Sequence, residues 1–297
     1  MTRRALITGI SGFTGSYMRE SLENAGYEVF GSSLTASEDS NIIKSDLCDL
    51  DSMRNLVEIV APNLVIHMGG VSNVAHGDIS NLYLTNALGS RNLLQVLFEC
   101  KTPVQSVMMV SSGNVYGNNN VDFITEESQI IPVNDYSVSK LAMEDFCSLW
   151  AGKLPIFIVR PFNYTGNGQL DDFLIPKIIK QYVRRAKTIA LGNLDVFREF
   201  NDVRQIVDIY RKLLEIKPTG RTINVCSGNV YSLSDIIRIM NNIAGYEIEV
   251  EIDRNFIREN EIKLLRGSND LLKSLIGSLE FRPLEETLRW MYEESSK

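Results

Sequence analysis

Ala5-Leu6-Ile7-Thr8-Gly9-Ile10-Ser11-Gly12-Phe13-Thr14-Gly15 decides the fold. Its first four residues form a short apolar run of the kind that builds a fully buried parallel strand. Glycines follow at 9, 12 and 15, and the residues after them read as a helix that stops at Gly26. Gly9 permits a tight turn, Gly12 lets the backbone approach a pyrophosphate, and Gly15 allows close packing of helix on strand. The helix start, from Ser11 through Phe13 and Thr14, then offers free N–H groups and a positive dipole end to phosphate. A lone glycine triplet is often only a loop; the strand before it and the helix after it give this one its meaning.

Moving outward, the apolar runs 4–8, 27–31, 41–45, 63–68, 104–110 and 155–160 predict strands, with helices between most of them. That alternation predicts an α/β fold with a doubly wound parallel sheet. Tyr136-Ser137-Val138-Ser139-Lys140 lies on a predicted helix, with Asn134 and Asp135 as cap chemistry, so Tyr136 and Lys140 share one face. A free phenol titrates near pH 10, and an ammonium within ~4–6 Å would lower that value toward use as an acid/base. Ser112 can add a hydrogen bond to the same substrate oxygen. After Arg160 the pattern turns irregular: 163–172 is rich in Gly, Asn and Asp, as expected of a loop over a site, and 173–187 reads as a helix. The predicted division is 1–162 plus 202–228 for a dinucleotide-binding domain. The remainder, 163–201 plus 229–297, would form a smaller α/β lobe.

These motifs together resemble the extended short-chain dehydrogenase/reductase family that modifies nucleotide sugars. The likeness rests on Thr8-Gly9-x-x-Gly12-x-x-Gly15, Ser111-Ser112-Gly113-Asn114-Val115-Tyr116-Gly117 and Tyr136-x-x-x-Lys140, and it covers nearly the whole chain. Val65 to Gly70 is similar to the family's fourth strand and turn, and Asn86 to Leu94 to its next helix. Within the family, 160–166, 198–204, 224–228 and 266–268 resemble the branch that reduces GDP-4-keto-6-deoxymannose. The resemblance implies Ser112, Tyr136 and Lys140 as the catalytic set. For the cofactor it implies Gly9, Ser11, Gly12, Phe13, Thr14, Gly15, Ser32, Ser33, Asp46, Leu47, Met68, Gly69, Gly70, Asn86 and Pro161, besides Tyr136 and Lys140. For the substrate it implies Ser112, Asn163, Lys177, Arg198, Arg258 and Glu261, and it makes the smaller lobe the nucleotide-sugar-binding part. Here Arg258-Glu259-Asn260-Glu261 departs from the family's Arg-Pro-x-Glu. A homodimer is implied as well.

No acid stands at the tip of the second strand, where Ser32 and Ser33 leave room for a 2′-phosphate. NADP(H) is therefore expected, with NAD(H) also open. The arginine that would hold that phosphate is absent, unless Arg3, Arg4 or Lys44 reaches across. Gly113 and Asn114 occupy the positions where the family's dehydratases carry carboxylates, and neither residue can act as acid or base at neutral pH. Hydride transfer assisted by Tyr136 is what remains, and the resemblance implies that the acceptor is the C4 ketone of a nucleotide-linked 4-keto-6-deoxy sugar. A 4-epimerase or dehydratase with tightly bound NAD is the alternative, and a non-catalytic nucleotide-binding regulator on the same fold is a third reading.

Composition agrees. The chain has 297 residues, 44% of them hydrophobic, enough for a large core. Its net charge of −7 and scattered basic residues argue against a nucleic-acid or anionic-membrane surface. Cys48, Cys100, Cys147 and Cys226 show no metal-like spacing and read as reduced thiols of a cytoplasmic protein, with no metal expected. His67 reads as a structural residue at a strand end, and His76 as a loop residue beside the site.

Overall fold

The computed structural model describes residues 3–72, 78–256 and 262–297. The chain passes through β1 (Arg4–Thr8), α1 (Phe13–Asn24), β2 (Glu28–Ser33), β3 (Ile42–Lys44), α2 (Leu50–Val60) and β4 (Leu64–His67). It continues through α3 (Ile79–Tyr83), a π-helical segment Leu84–Gly89, α4 (Ser90–Glu99), β5 (Ser106–Val110), α5 (Asp135–Leu149) and β6 (Ile156–Pro161). There follow β7 (Tyr164–Thr165), α6 (Leu174–Val183), β8 (Thr188–Leu191), β9 (Phe197–Arg198), β10 (Asn201–Asp202), α7 (Val203–Ile216) and β11 (Thr222–Val225). The last part holds β12 (Tyr231–Ser232), α8 (Leu233–Ala244), β13 (Glu249–Ile252), β14 (Leu264–Leu265), α9 (Asp270–Ile276) and α10 (Leu284–Ser295).

Seven strands form one sheet in the order β11-β6-β5-β4-β1-β2-β3, and every pairing in it is parallel. The order reverses between β1 and β4, so the connections leave these two neighbours in opposite directions and open a crevice at their C-terminal ends. Alternate residues of each strand feed two cores. Ala5, Ile7, Ile66, Met108 and Val159 pack with α1 and α7 on one face. Leu6, Val65, Val107 and Met109 pack with α2, α4 and α5 on the other. Each such Val, Leu, Ile or Met side chain, fully buried, contributes about 1.5–3 kcal/mol. A third core, built from Ile175, Ile178, Ile189, Leu233, Ile236, Leu284 and Leu288, belongs to α6, α8, α10 and β8.

Three features differ from the sequence expectations. β2 runs on to Ser33, so Ser32 lies inside the sheet, paired in register with Thr8 and Ile43 and only 5% exposed. The helix expected over 173–187 stops at Val183, and Arg185, at φ +52°, turns the chain. α9, placed by sequence in the second lobe, buries Leu272 in the sheet core beside α7 and β11.

Candidate active site

The glycine turn shows which of its glycines serve packing. A Cβ on Gly15 would fall 2.3 Å from the Gly9 carbonyl oxygen and 2.7 Å from Ile10 Cα, so α1 sits hard against the turn. Gly9, at φ +74°, passes equally close to Gly69, 2.8 Å from a Cβ built on Gly9 to Gly69 Cα. Gly12 is different. A Cβ there meets only the Gly9 oxygen, at 3.2 Å, and would otherwise project into open space. Gly12 also caps α1 without a side-chain hydrogen bond, and the first turn carries no acid. An open cradle at an uncapped, acid-free helix start fits a pyrophosphate. Gly12→Ala should therefore leave the unfolding midpoint nearly unchanged while weakening dinucleotide binding roughly tenfold or more, about 1.4 kcal/mol, by titration of intrinsic fluorescence with NADPH.

α5 starts where the Asn134 side chain accepts the Ser137 N–H at 2.9 Å, as the cap residues predict. One turn on, Lys140 is 6% exposed and donates from Nζ to the Val110 carbonyl at 3.0 Å, tying α5 to the end of β5. Ser112 follows β5 and caps the short 3₁₀ turn Gly113–Tyr116, its Oγ accepting the Asn114 N–H at 3.2 Å. The Ser112 hydroxyl also lies near the Tyr136 phenol. Ser112, Tyr136 and Lys140 thus come together at the C-terminal edge of the sheet, beside the crevice.

The electrostatics depart from the expectation for Tyr136. Burial pushes its phenol well above the ordinary value and the neighbouring Tyr164 adds to this, while the nearby Ser112 hydroxyl only partly opposes them. Part of Tyr136 remains solvent-accessible, so it is the packing around its hydroxyl that raises the value. Burial also lowers Lys140 to about 8, against the opposing charge of Glu144. The spacing of Tyr136 and Lys140 reveals a shared face but not this desolvation, and the expected lowering by the Lys140 ammonium is not among the influences on the phenol. At neutral pH the phenol therefore holds its proton.

A Cβ on Gly113 would lie 3.0 Å from the Phe162 ring, so this position has no room for a carboxylate side chain in place of the glycine. Behind it, Arg160 makes two hydrogen bonds to Glu144, at 2.9 and 2.6 Å, and one to the Tyr116 hydroxyl at 2.8 Å. This buried group pins α5 to β6.

The remaining cofactor candidates line the same edge. Asp46 is exposed after β3 and accepts the Cys48 N–H at 2.8 Å, while Leu47 packs into the core beside Gly69. Ser33 is partly exposed at the tip of β2, where its Oγ accepts the Thr35 N–H at 3.3 Å. Arg3 and Arg4 are held at the opposite end of the sheet, on Ala25 and on Glu28. Lys44 pairs in register with Ser33 and is exposed. Met68 and Gly70 lie at the mouth of the crevice, and Pro161 ends β6. Asn86 is 1% exposed and spends its amide within the protein. Its Oδ1 accepts Val71 N–H at 2.7 Å, and its Nδ2 donates to Val71 O at 2.9 Å and Ser139 Oγ at 3.0 Å.

Of the substrate candidates, Asn163 sits after β6, where its carbonyl accepts the Asn201 N–H at 2.9 Å. Lys177 lies over the Phe256 ring at 3.7 Å, and Arg198 donates to the Phe197 and Ile262 carbonyls. Arg258, Glu261 and His76 fall outside the described residues. Next to Arg198, the buried Glu199 accepts the Ser227 and Gly267 N–H groups at 2.7 and 2.8 Å, which knots three loops together. Sequence reasoning missed Tyr164 as a site residue. Its hydroxyl is 2.8 Å from Thr14 Oγ1 and its ring stacks on Phe13, so β7 reaches the glycine turn. A two-residue strand such as β7 carries no periodicity, and the available signal was an aromatic placed directly after Asn163.

Comparison with known proteins places this geometry in a family. The model of the NAD dependent epimerase/dehydratase family matches residues 5–226. GDP-6-deoxy-D-talose 4-dehydrogenase of Aggregatibacter actinomycetemcomitans is 31% identical, over 97% of this chain and 97% of its own. GDP-6-deoxy-D-mannose reductase of Pseudomonas aeruginosa is 32% identical over 97% of this chain and 96% of its own. Among solved structures, RMD from Pseudomonas aeruginosa complexed with NADPH superimposes with a TM-score of 0.87 at 31% identity, covering 100% of this chain and 98% of that one. A candidate epimerase from Burkholderia cenocepacia J2315 gives 0.93 at 44% identity, over 99% and 98%. With its parallel sheet, glycine turn and Ser112–Tyr136–Lys140 cluster, the chain belongs to the NAD dependent epimerase/dehydratase family, the extended short-chain dehydrogenases/reductases.

Proposed function

We propose that the protein reduces the C4 ketone of a nucleotide-linked 4-keto-6-deoxy sugar with NADPH, GDP-4-keto-6-deoxymannose or a close GDP- or dTDP-linked hexose or heptose analogue being the substrate. The observation that carries this reading is Tyr136 beside Ser112, on the helix that also holds Lys140, at a site where Gly113 and Asn114 stand in place of elimination carboxylates. The two GDP-6-deoxy-sugar relatives support it.

Bound at the glycine cradle, the nicotinamide dinucleotide supplies the hydride that goes to C4. Tyr136 donates its proton to the oxygen as negative charge develops there, so a phenol that keeps its proton at pH 7 is in the donor state. Ser112 orients that oxygen. Lys140, the nearest ammonium on α5, stabilises the phenolate until water returns the proton. Ser33, with Lys44 beside it, supports NADP(H), because a hydroxyl and a cation suit a 2′-phosphate; NAD(H) use remains compatible with the same edge.

The second lobe would hold the nucleotide diphosphate through Arg198, Asn163 and Lys177. Exposed Leu84, Leu88, Val138 and Leu149 on α5 and the helix beside it support a homodimer, testable by sedimentation. No helix among the described residues is long and apolar enough to cross a membrane. Four free cysteines suit a reducing cytoplasm.

A second reading, a 4-epimerase with tightly held NAD, has support from the Burkholderia relative. One experiment separates the two. A reductase is expected to purify largely free of dinucleotide and to oxidise one NADPH per 4-keto sugar consumed, followed by absorbance and by product configuration at C4. Turnover of a sugar lacking the ketone, with NAD co-purifying and no reductant added, would favour the epimerase.

A further inference from the structure

His67 is fully buried at the end of β4, with both ring nitrogens engaged. Nε2 lies 2.7 Å from Ser90 Oγ, and Nδ1 lies 2.7 Å from Thr8 Oγ1. Ser90 Oγ in turn sits 2.6 Å from the Asn86 carbonyl oxygen. Two oxygens that close need a proton between them, and only the serine has one. The Ser90 hydrogen is therefore committed to Asn86, and Ser90 must accept from His67 Nε2–H. At the other nitrogen, Thr8 Oγ1 already accepts the Gly69 N–H at 3.0 Å. A doubly protonated ring would put an unpaired charge in the core and leave the Thr8 hydrogen without an acceptor among the described residues. The Lys140 ammonium would also repel it. The consistent assignment is a neutral imidazole with its proton on Nε2, and Thr8 donating to Nδ1.

The hydrogen bonds then run in one sense from Gly69 N–H to Thr8, to His67, to Ser90 and to the Asn86 carbonyl. Asn86 carries them further, clamping Val71 through both its amide atoms and donating to Ser139, whose hydroxyl donates to the Tyr136 carbonyl at 2.8 Å. One end of this chain is the Gly69 turn on which Gly9 rests; the other is the first turn of α5.

We infer that His67 is a positioning residue, fixed as the Nε2–H tautomer, which locks the floor of the cofactor crevice to the helix that carries Tyr136 and Lys140. The inference rests on the dinucleotide reading of the crevice only for its functional consequence.

The chain holds two histidines, so imidazole ¹⁵N resonances can be assigned by comparison with a His76→Gln protein. In the ligand-free protein His67 should show a protonated Nε2 and an unprotonated Nδ1. A protonated Nδ1, or averaged shifts like those of free imidazole, would overturn the inference. Thr8→Val removes the donor to Nδ1 and the acceptor of Gly69 while keeping the shape. It should weaken NADPH binding roughly 5- to 30-fold with a smaller change in kcat, and Thr8→Ser should recover most of the loss. Equal affinity in Thr8→Val and unmodified protein would refute the coupling. Should Thr8→Val not fold, Ser90→Ala tests the other end by the same titration. If the unmodified protein binds neither NADPH nor NADH, the dinucleotide reading fails, and the ¹⁵N measurement still decides the tautomer.

Discussion

Tyr136→Phe is expected to lower kcat by about 10²–10⁴-fold while NADPH binds as before. The phenol contributes its proton only as charge appears on the C4 oxygen, so its loss falls on the transition state rather than on ground-state binding. Replacement by Phe keeps the ring that fills the space beside Ser112 and Tyr164, and α5 keeps its cap at Asn134. A steady-state assay with NADPH and a 4-keto-6-deoxy nucleotide sugar, paired with a fluorescence titration of the cofactor, measures both quantities. Turnover within a few fold of the unmodified protein would mean that another group protonates O4.

The second large effect is on stability. Arg160 and Glu144 are 5% and 8% exposed and joined by two hydrogen bonds. Arg160→Met removes the cation, leaves a carboxylate in the core, and also takes a donor from Tyr116, whose hydroxyl then depends on Asn224. Breaking one side of such a pair costs about 3–5 kcal/mol. Chemical denaturation should show the midpoint falling with little change in slope. The double variant Arg160→Met with Glu144→Leu should recover much of the loss, because two apolar side chains of similar size need no partners. A single variant as stable as the unmodified protein would mean that the buried carboxylate is satisfied in some other way.

Much of this was legible in the sequence, for identifiable reasons. Runs such as Leu64-Val65-Ile66 have nowhere to go but a sheet covered on both faces, and Asn134 caps α5 through local geometry alone. What was hidden depends on neighbours distant in sequence. Ser32 reads as a strand tip until Thr8 and Ile43 are seen on either side of it. α9 is a seven-residue amphipathic helix, and its pattern does not say which core will take Leu272. The π-helical segment at Leu84–Gly89 breaks the 3.6-residue period, so the position of Asn86 could not be projected from the helix that follows. In the site, the types and order of Ser112, Tyr136 and Lys140 were readable. Their electrostatics were not, since Tyr136 is also shifted by Tyr164, which arrives on β7 from a distant part of the chain.

The sheet is completed late. β11, its seventh strand, pairs only with β6 and follows a detour of some sixty residues through β7 to α7. A nascent chain that has emerged only as far as β6 therefore presents an unpaired strand edge, Ile156–Pro161, flanked by side chains meant for the interior. During synthesis this edge waits for Thr222–Val225, and Tyr116 waits with it for Asn224. Slow translation across 162–221 would lengthen that exposure, so misassembly between nascent copies should concentrate at this strand rather than at β3 on the far side.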